Sequence, residues 1–329
     1  TGTLSAGSFT NFELLTVSGG GTWTLTGTQT YETIAATGGV LNIGVDAGTT
    51  AAVEATTSMT IGGTHTGALD GGAGDDTLVL TGTGTGTLAS TSIANFNDLT
   101  KDGTGTWTVT GDIDVHIIAV EDGTLILGTV GDPTTAATTI GVTIGTASTG
   151  ATLEIAEGSS LDTPTLTGGA NADTLLIDGA LTVTGSFTLA GGADVLTVGA
   201  SGILTADVDM GADDDTVTLT TGAVVTGSLS GGTGTDSLIL TGDGTGTLDA
   251  TIISNFQTLT KTGTGAWTVT GPVSVDDLAV DGGTLTFGNG TVATATVTNG
   301  ATIDGATLEI ATGSSLSVPT ITGGTGSDQ

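Results

Sequence analysis

The 329-residue sequence predicts an all-β chain wound as a parallel β-helix, a β-solenoid of about 20 residues per coil. Three observations predict it. Apolar residues alternate with Thr over short blocks such as TLVL, TWTVT, TLIL and TLEI, each ended by Gly, Asn or Asp, which is the pattern of half-buried strands joined by tight turns. No window places apolar residues at i, i+3, i+4 and i+7 for several turns, and the 59 Gly with abundant Thr and Val depress helix propensity throughout. Whole segments then return in register, the mark of stacked repeats rather than of a unique site.

Taken in order, TGTL at Thr1, Thr85 and Thr245 leads each time into an NF unit, at Asn11, Asn95 and Asn255. The segment Asn95–Gly128 recurs as Asn255–Gly288, with a weaker copy at Asn11–Gly27, and residues 71–128 align without gaps to 231–288. ATLEIAEGSSLDTPTLTGG at Ala151 matches ATLEIATGSSLSVPTITGG at Ala306, so about five residues are lost after Gly128. That difference marks GTVGDPTTAATTIG as a tolerant loop. A smaller period runs inside: GGANAD at Gly168, GGADVL at Gly191, MGADDD at Met210 and GGTGTD at Gly231 follow one another every 19 to 23 residues. In such a stack Gly makes the corners, inward Val, Leu and Ile fill a narrow interior, and outward Thr covers the strand faces.

No linker interrupts the pattern, so 1-329 reads as a single elongated repeat domain, with large units at about 71-230 and 231-329 and a partial unit at 1-70. The sequence opens on TGTL and stops at GGTGSDQ. A second copy joined there lacks only about nine residues of the internal pattern, which leads us to expect a piece of a longer array or a subunit that stacks end to end.

Thirty-four carboxylates face two cations, Lys101 and Lys261, for a formal charge of −32. Nucleic acid is not expected as a partner and anionic membrane surfaces are poor ones, whereas cations or positive surfaces are favoured. With no Cys there are neither disulfides nor thiolate metal sites. No run is apolar enough for membrane insertion, and the start TGTLSAGSFT lacks the basic and apolar regions of a signal peptide, as expected of a mature or excised chain.

GGAGDDTLV at Gly71 and GGTGTDSLI at Gly231 match G-G-x-G-x-D-x-U-x. The motif resembles the calcium-binding nonapeptide of RTX proteins, although those repeat in tandem and here single copies stand about twenty residues apart. The resemblance implies Ca²⁺ as the one cofactor, completed between stacked coils by Asp75, Asp76, Asp173, Asp194, Asp213, Asp215 and Asp236. Plain Gly–Asp turns are the alternative, since Asp is a standard turn former.

LTKDGTGTWTVTGDIDVHIIAVEDGTLILG from Leu99, with further copies from Leu259 and Leu14, resembles the passenger-associated repeat of bacterial autotransporters. That resemblance implies a right-handed β-helix exported to a bacterial surface and serving in adhesion. The sequence departs from that family in carrying no C-terminal translocator barrel.

Lys101 and Lys261 share a motif position and are expected to pair with neighbouring carboxylates. Trp23, Trp107 and Trp267 share another and are expected to pack over an adjacent coil rather than stack on sugars. Thr-x-Thr runs such as TGTGTGT at Thr81 are too interrupted for an ice-binding face, and Asn289-Gly290-Thr291 is a lone glycosylation sequon. An enzyme is not expected: Asp213, Asp214 and Asp215 could be nominated for a glycoside hydrolase, but His65 and His116 stand apart from them, and no nucleophilic triad, zinc site or phosphate loop is present.

The sequence is therefore expected to encode a secreted or cell-surface structural or adhesive protein of a bacterium without catalytic chemistry. A self-assembling, Ca²⁺-dependent extracellular filament or surface-layer subunit is the alternative, and a polysaccharide-active enzyme a third. The partners expected are further copies, end to end or laterally, and a host surface or glycan.

Overall fold

A computed structural model describes residues 75–329, apart from the side chain of Ser92, and before them only the backbone of strands running from Gly2–Ser5 to Leu69–Asp70. The expected fold class holds: the chain is all-β, only 2% helical, with parallel sheets stacked as a β-solenoid whose turns fall about 21 residues apart. It divides into two compact units, Thr1–Thr167 and Gly168–Gln329.

In the first unit two parallel ladders carry the core. Thr77–Thr81 pairs with Asp98–Lys101, that strand with Ile113–Val120, and that with Thr135–Ile144. Thr85–Ala89 pairs with Thr106–Thr110, then Gly123–Leu127, then Ala151–Ile155. Because side chains alternate across a strand and the registers are parallel, like residues stack in columns. Leu78, Leu99, Ile118 and Val142 form one column and Leu88, Val109, Leu127 and Ile155 another, all at most 1% exposed. Burying each such side chain contributes roughly 1.5–3 kcal/mol.

The second unit repeats the plan with greater regularity. Thr174–Ile177, Val195–Val198, Thr216–Thr220, Ser237–Thr241 and Thr258–Lys261 follow one another as parallel neighbours. Leu175, Leu196, Val217, Leu238 and Leu259 stack in one buried column at steps of 21 residues. A second face stacks Phe187–Thr188, Val208–Asp209, Leu229–Ser230 and Ile253–Ser254. The turns need left-handed backbone at fixed places, supplied by Gly211 and Gly232, with Ala190 accepting a φ of 69° one coil earlier.

One detail differs from expectation. The stretch after Gly128 is mostly not a loop: residues from Thr135 to Ile144 form one ten-residue strand, which buries Ala136 and Thr138 and then Val142 and Ile144, with the alternation broken at the exposed Thr139 and Ile140 where the register shifts. Only a tight turn remains, closed by an antiparallel bridge between Thr129 and Asp132 and exposing Val130. His116 stands exposed in a register shift between Val115 and Ile117, and its counterpart Asp276 does the same between Val275 and Asp277.

Candidate functional site

The residues singled out from the sequence fall into three inter-coil devices. The first is a column of aspartates at the start of successive strands in the second unit. Asp173, Asp194, Asp215 and Asp236 stand two residues before the inward Leu175, Leu196, Val217 and Leu238, so period-two alternation turns them inward as well. They are 0–1% exposed.

The carboxylates of Asp194, Asp215 and Asp236 each serve the coil before them. Oδ1 of Asp194 accepts from the backbone N–H of Asp173 at 2.7 Å, Oδ1 of Asp215 from Asp194 at 2.8 Å, and Oδ1 of Asp236 from Asp215 at 2.9 Å. The Asp236 N–H then donates to Oε1 of Gln257, where the column ends in a neutral amide. In the first unit the Asp76 N–H donates to Oδ1 of Asn97 at 2.9 Å, in the same repeat position. The backbone carbonyls run the other way: those of Asp173, Asp194 and Asp215 accept from Val195, Thr216 and Ser237. The side chain thus takes the place of a missing ladder acceptor at the point where each strand begins, which satisfies a buried donor.

The second carboxylate oxygens are less well served. Oδ2 of Asp173 accepts from Gly169 N–H at 2.8 Å, whereas Oδ2 of Asp194, Asp215 and Asp236 is buried without a hydrogen-bond partner. Burial pushes the Asp194 carboxyl up to about 8 against the Asp173 N–H bond, with Asp215, Asp173 and Asp213 raising it further. Asp215 rises to about 7, again mainly by burial, with Asp236, Asp213 and Asp214 adding to it. Asp236 is raised for the same leading reason. Two full charges one coil apart, about 4.8 Å, repel by about 3.5 kcal/mol at an effective dielectric of 20.

The seven expected calcium ligands do not converge. Asp76, Asp173, Asp194, Asp215 and Asp236 point inward, one per coil, while Asp75 and Asp213 are exposed at the surface. Oδ2 of Asp213 accepts from Gly192 N–H at 3.1 Å, and Oδ1 of the neighbouring Asp214 from Thr235 N–H at 2.8 Å. Among the described residues no group of three or more His, Cys, Asp or Glu side chains could hold a metal ion, so this placement does not fit the six to eight oxygens that Ca²⁺ takes. Gly71 to Gly74 of the first GGxGxD motif lie outside the described residues.

The second device is the lysine pair. Lys101 and Lys261 occupy core columns, Lys101 paired with Leu80 and Val120, Lys261 with Leu240 and Val280, and both are fully buried. The expectation of carboxylate pairing gives way to main-chain ligation. Nζ of Lys261 donates to the carbonyls of Thr262, Gly263 and Gly282, the last two at 3.0 Å, and Nζ of Lys101 to those of Asp102, Gly103 and Asp122. Each lysine therefore ties one Gly turn to the next. Burial lowers the pKa of both; for Lys101 the nearby Asp122 and Asp102 carboxylates oppose that shift.

Tryptophan is the third device. Trp107 and Trp267 are 1% and 2% exposed, and their Nε1 donates to Thr81 O at 2.9 Å and Thr241 O at 2.8 Å. The rings lie over Gly86 and Gly246 of the preceding coil, where an added Cβ would come within 2.5 Å and 2.8 Å of ring atoms. These two rings are thus packed, as expected. The backbone register Gly2↔Trp23 repeats Gly86↔Trp107 and Gly246↔Trp267, though the side chains of Trp23 and His65 lie outside the described residues. The sequon at Asn289 is exposed.

One signal could have revealed the aspartate column beforehand: an Asp two residues before an inward Leu or Val shares its face. No family model, no curated protein and no solved structure matches the chain, so the likenesses to RTX nonapeptides and autotransporter repeats stand on the quoted motifs alone.

Proposed function

We propose that this chain is a non-catalytic structural element, a β-solenoid segment of a secreted or cell-surface bacterial protein that presents a threonine-rich, acidic outer face for adhesion. The observation that carries the reading is where the recurring chemistry sits. Lys101 and Lys261, Trp107 and Trp267, and the inward aspartates are all spent on bonds from one coil to the next. Side chains that act on a substrate need access to it, and these have none. What remains outside is Thr on alternate strand positions together with carboxylates such as Asp213, Asp214 and Asp276, a surface suited to a hydrated, repulsive scaffold.

The test is to incubate the purified chain with neutral and acidic polysaccharides, measuring both retention on them and release of new chain ends. Retention without cleavage supports the reading. Cleavage that stops in Asp213→Asn or Asp214→Asn would replace it with the hydrolase. Electron microscopy in chelator and in millimolar Ca²⁺ separates the remaining alternative: ordered polymers that appear only with Ca²⁺ would make the protein an ion-dependent filament subunit instead.

A further inference from the structure

We propose that the inward carboxyls of Asp194, Asp215 and Asp236 form a proton-binding ladder, which holds the turns of the Gly168–Gln329 unit together while protonated and loosens them on ionising. The geometry has three parts. The carboxyls are stacked one per coil at steps of 21 residues and are at most 1% exposed. One oxygen of each is committed to the preceding coil, while the other is buried without a partner. And the column ends at Gln257, whose neutral amide fills the same role at the next step.

The surroundings offer no counter-charge. The strands that lead out of these turns, Val195–Val198, Thr216–Thr220 and Ser237–Thr241, carry no titratable side chain. Those leading in, Phe187–Thr188, Val208–Asp209 and Leu229–Ser230, carry only Asp209, which is exposed. Within the turns the charged neighbours are Asp173, Asp213 and Asp214, all carboxylates. Lys261, the unit's one lysine, spends its ammonium on the carbonyls of Thr262, Gly263 and Gly282. A buried acid with no cation beside it and like charges around it keeps its proton, and its neighbours then titrate as a coupled set rather than singly.

The direction of the pH effect follows. Burial raises the carboxyls of Asp194 and Asp215 from an ordinary 3.8 to about 8 and about 7. Between those limits the folded unit holds protons that the unfolded chain has released, so stability falls with rising pH. The contribution is present in full below about pH 4 and is lost as pH rises through about 8.

The experiment is a carboxyl ¹³C NMR titration of the whole chain from pH 4 to 9.5, with Asp194→Asn and Asp215→Asn used for assignment. Asparagine keeps the oxygen acceptor and the shape, and the chain itself uses an amide at Asn97 and Gln257. Two carboxyl resonances are expected to titrate between pH 6.5 and 8.5 and to vanish one by one in the variants. The thermal midpoint of the native chain should fall across that window, and the double variant should lose most of the fall. The proposal is overturned if every carboxyl of the folded native chain titrates below pH 5.5, a result that needs no variant. It is equally overturned if millimolar Ca²⁺ moves the high titrations into the ordinary range and raises the midpoint, since the ladder would then bind a cation.

Discussion

Gly246→Ala offers the sharpest single test of how the coils are held in register. In the native chain Gly246 lies directly opposite Trp267 in the parallel ladder, and the indole covers the glycine. An added methyl would sit 2.8 Å from Cδ2, Cε2 and Cε3 of the ring, closer than carbon atoms approach. The ring is 2% exposed and pinned by its bond to Thr241 O, so it has to move outward by about half an ångström or more. Overpacking of this kind costs about 1–3 kcal/mol, and a weakened indole bond adds about 1. The gain of Ala over Gly in a strand returns about 0.5–1. The net expectation is a loss of about 1–3.5 kcal/mol, read by urea unfolding followed through circular dichroism. In a Trp267→Leu background the same Gly246→Ala change should cost less than about 1 kcal/mol, since its neighbour is gone, and the two sites should couple by at least that amount. If Gly246→Ala costs under about 0.5 kcal/mol in the native chain, or the same in both backgrounds, the packing argument fails.

The lysine knots predict a graded series. Lys261→Met keeps the volume but leaves the Thr262, Gly263 and Gly282 carbonyls without their charged donor, at about 1–3 kcal/mol; Lys261→Ala adds a cavity and should cost about 2 kcal/mol more in the same unfolding assay. Asn255 holds a φ of 60°, so Asn255→Val should lose about 1–2 kcal/mol and Asn255→Gly should stay within about 0.5 of native by thermal melting. The proton ladder predicts that acidification from pH 8.5 to 5 stabilises the chain, which scanning calorimetry at the two pH values checks.

How much of this was legible beforehand depends on the residue. Alternation in TLVL and TWTVT, Gly at the corners and the return of Asn95–Gly128 at Asn255 were sufficient for the β-solenoid and its coil length. Trp107 and Trp267 were also readable, because a repeated aromatic in a thin aliphatic core packs. The lysines were misread for a physical reason: charge suggested a partner of opposite sign, whereas a buried ammonium is satisfied as well by three carbonyls freed at a Gly turn. The inward placement of the aspartates was missed for a different reason. They were read as calcium ligands completed between coils or as plain Gly–Asp turns, and neither reading used their spacing from Leu175, Leu196, Val217 and Leu238, which places them on the inner face. The stretch after Gly128 looked like a loop because alignment with its copy breaks there; an alignment gap marks a change of length, and most of that change lies in the turn after the strand, where six residues separate Ile144 from Ala151 against two between Ile303 and Ala306.

The central claim is that the coil of 21 residues, bound to its neighbours by inward side chains, is the unit of this structure. Deleting residues 195–215 joins Asp194 to Thr216 and removes one whole coil, leaving Asp236 one step beyond Asp194 and Val217 one step beyond Leu175. The account predicts a chain that keeps its strand circular dichroism and still melts cooperatively, while deletion of 206–215 alone, about half a coil, abolishes the cooperative melt. Loss of folding in the whole-coil deletion, or equal tolerance of both deletions, would contradict it.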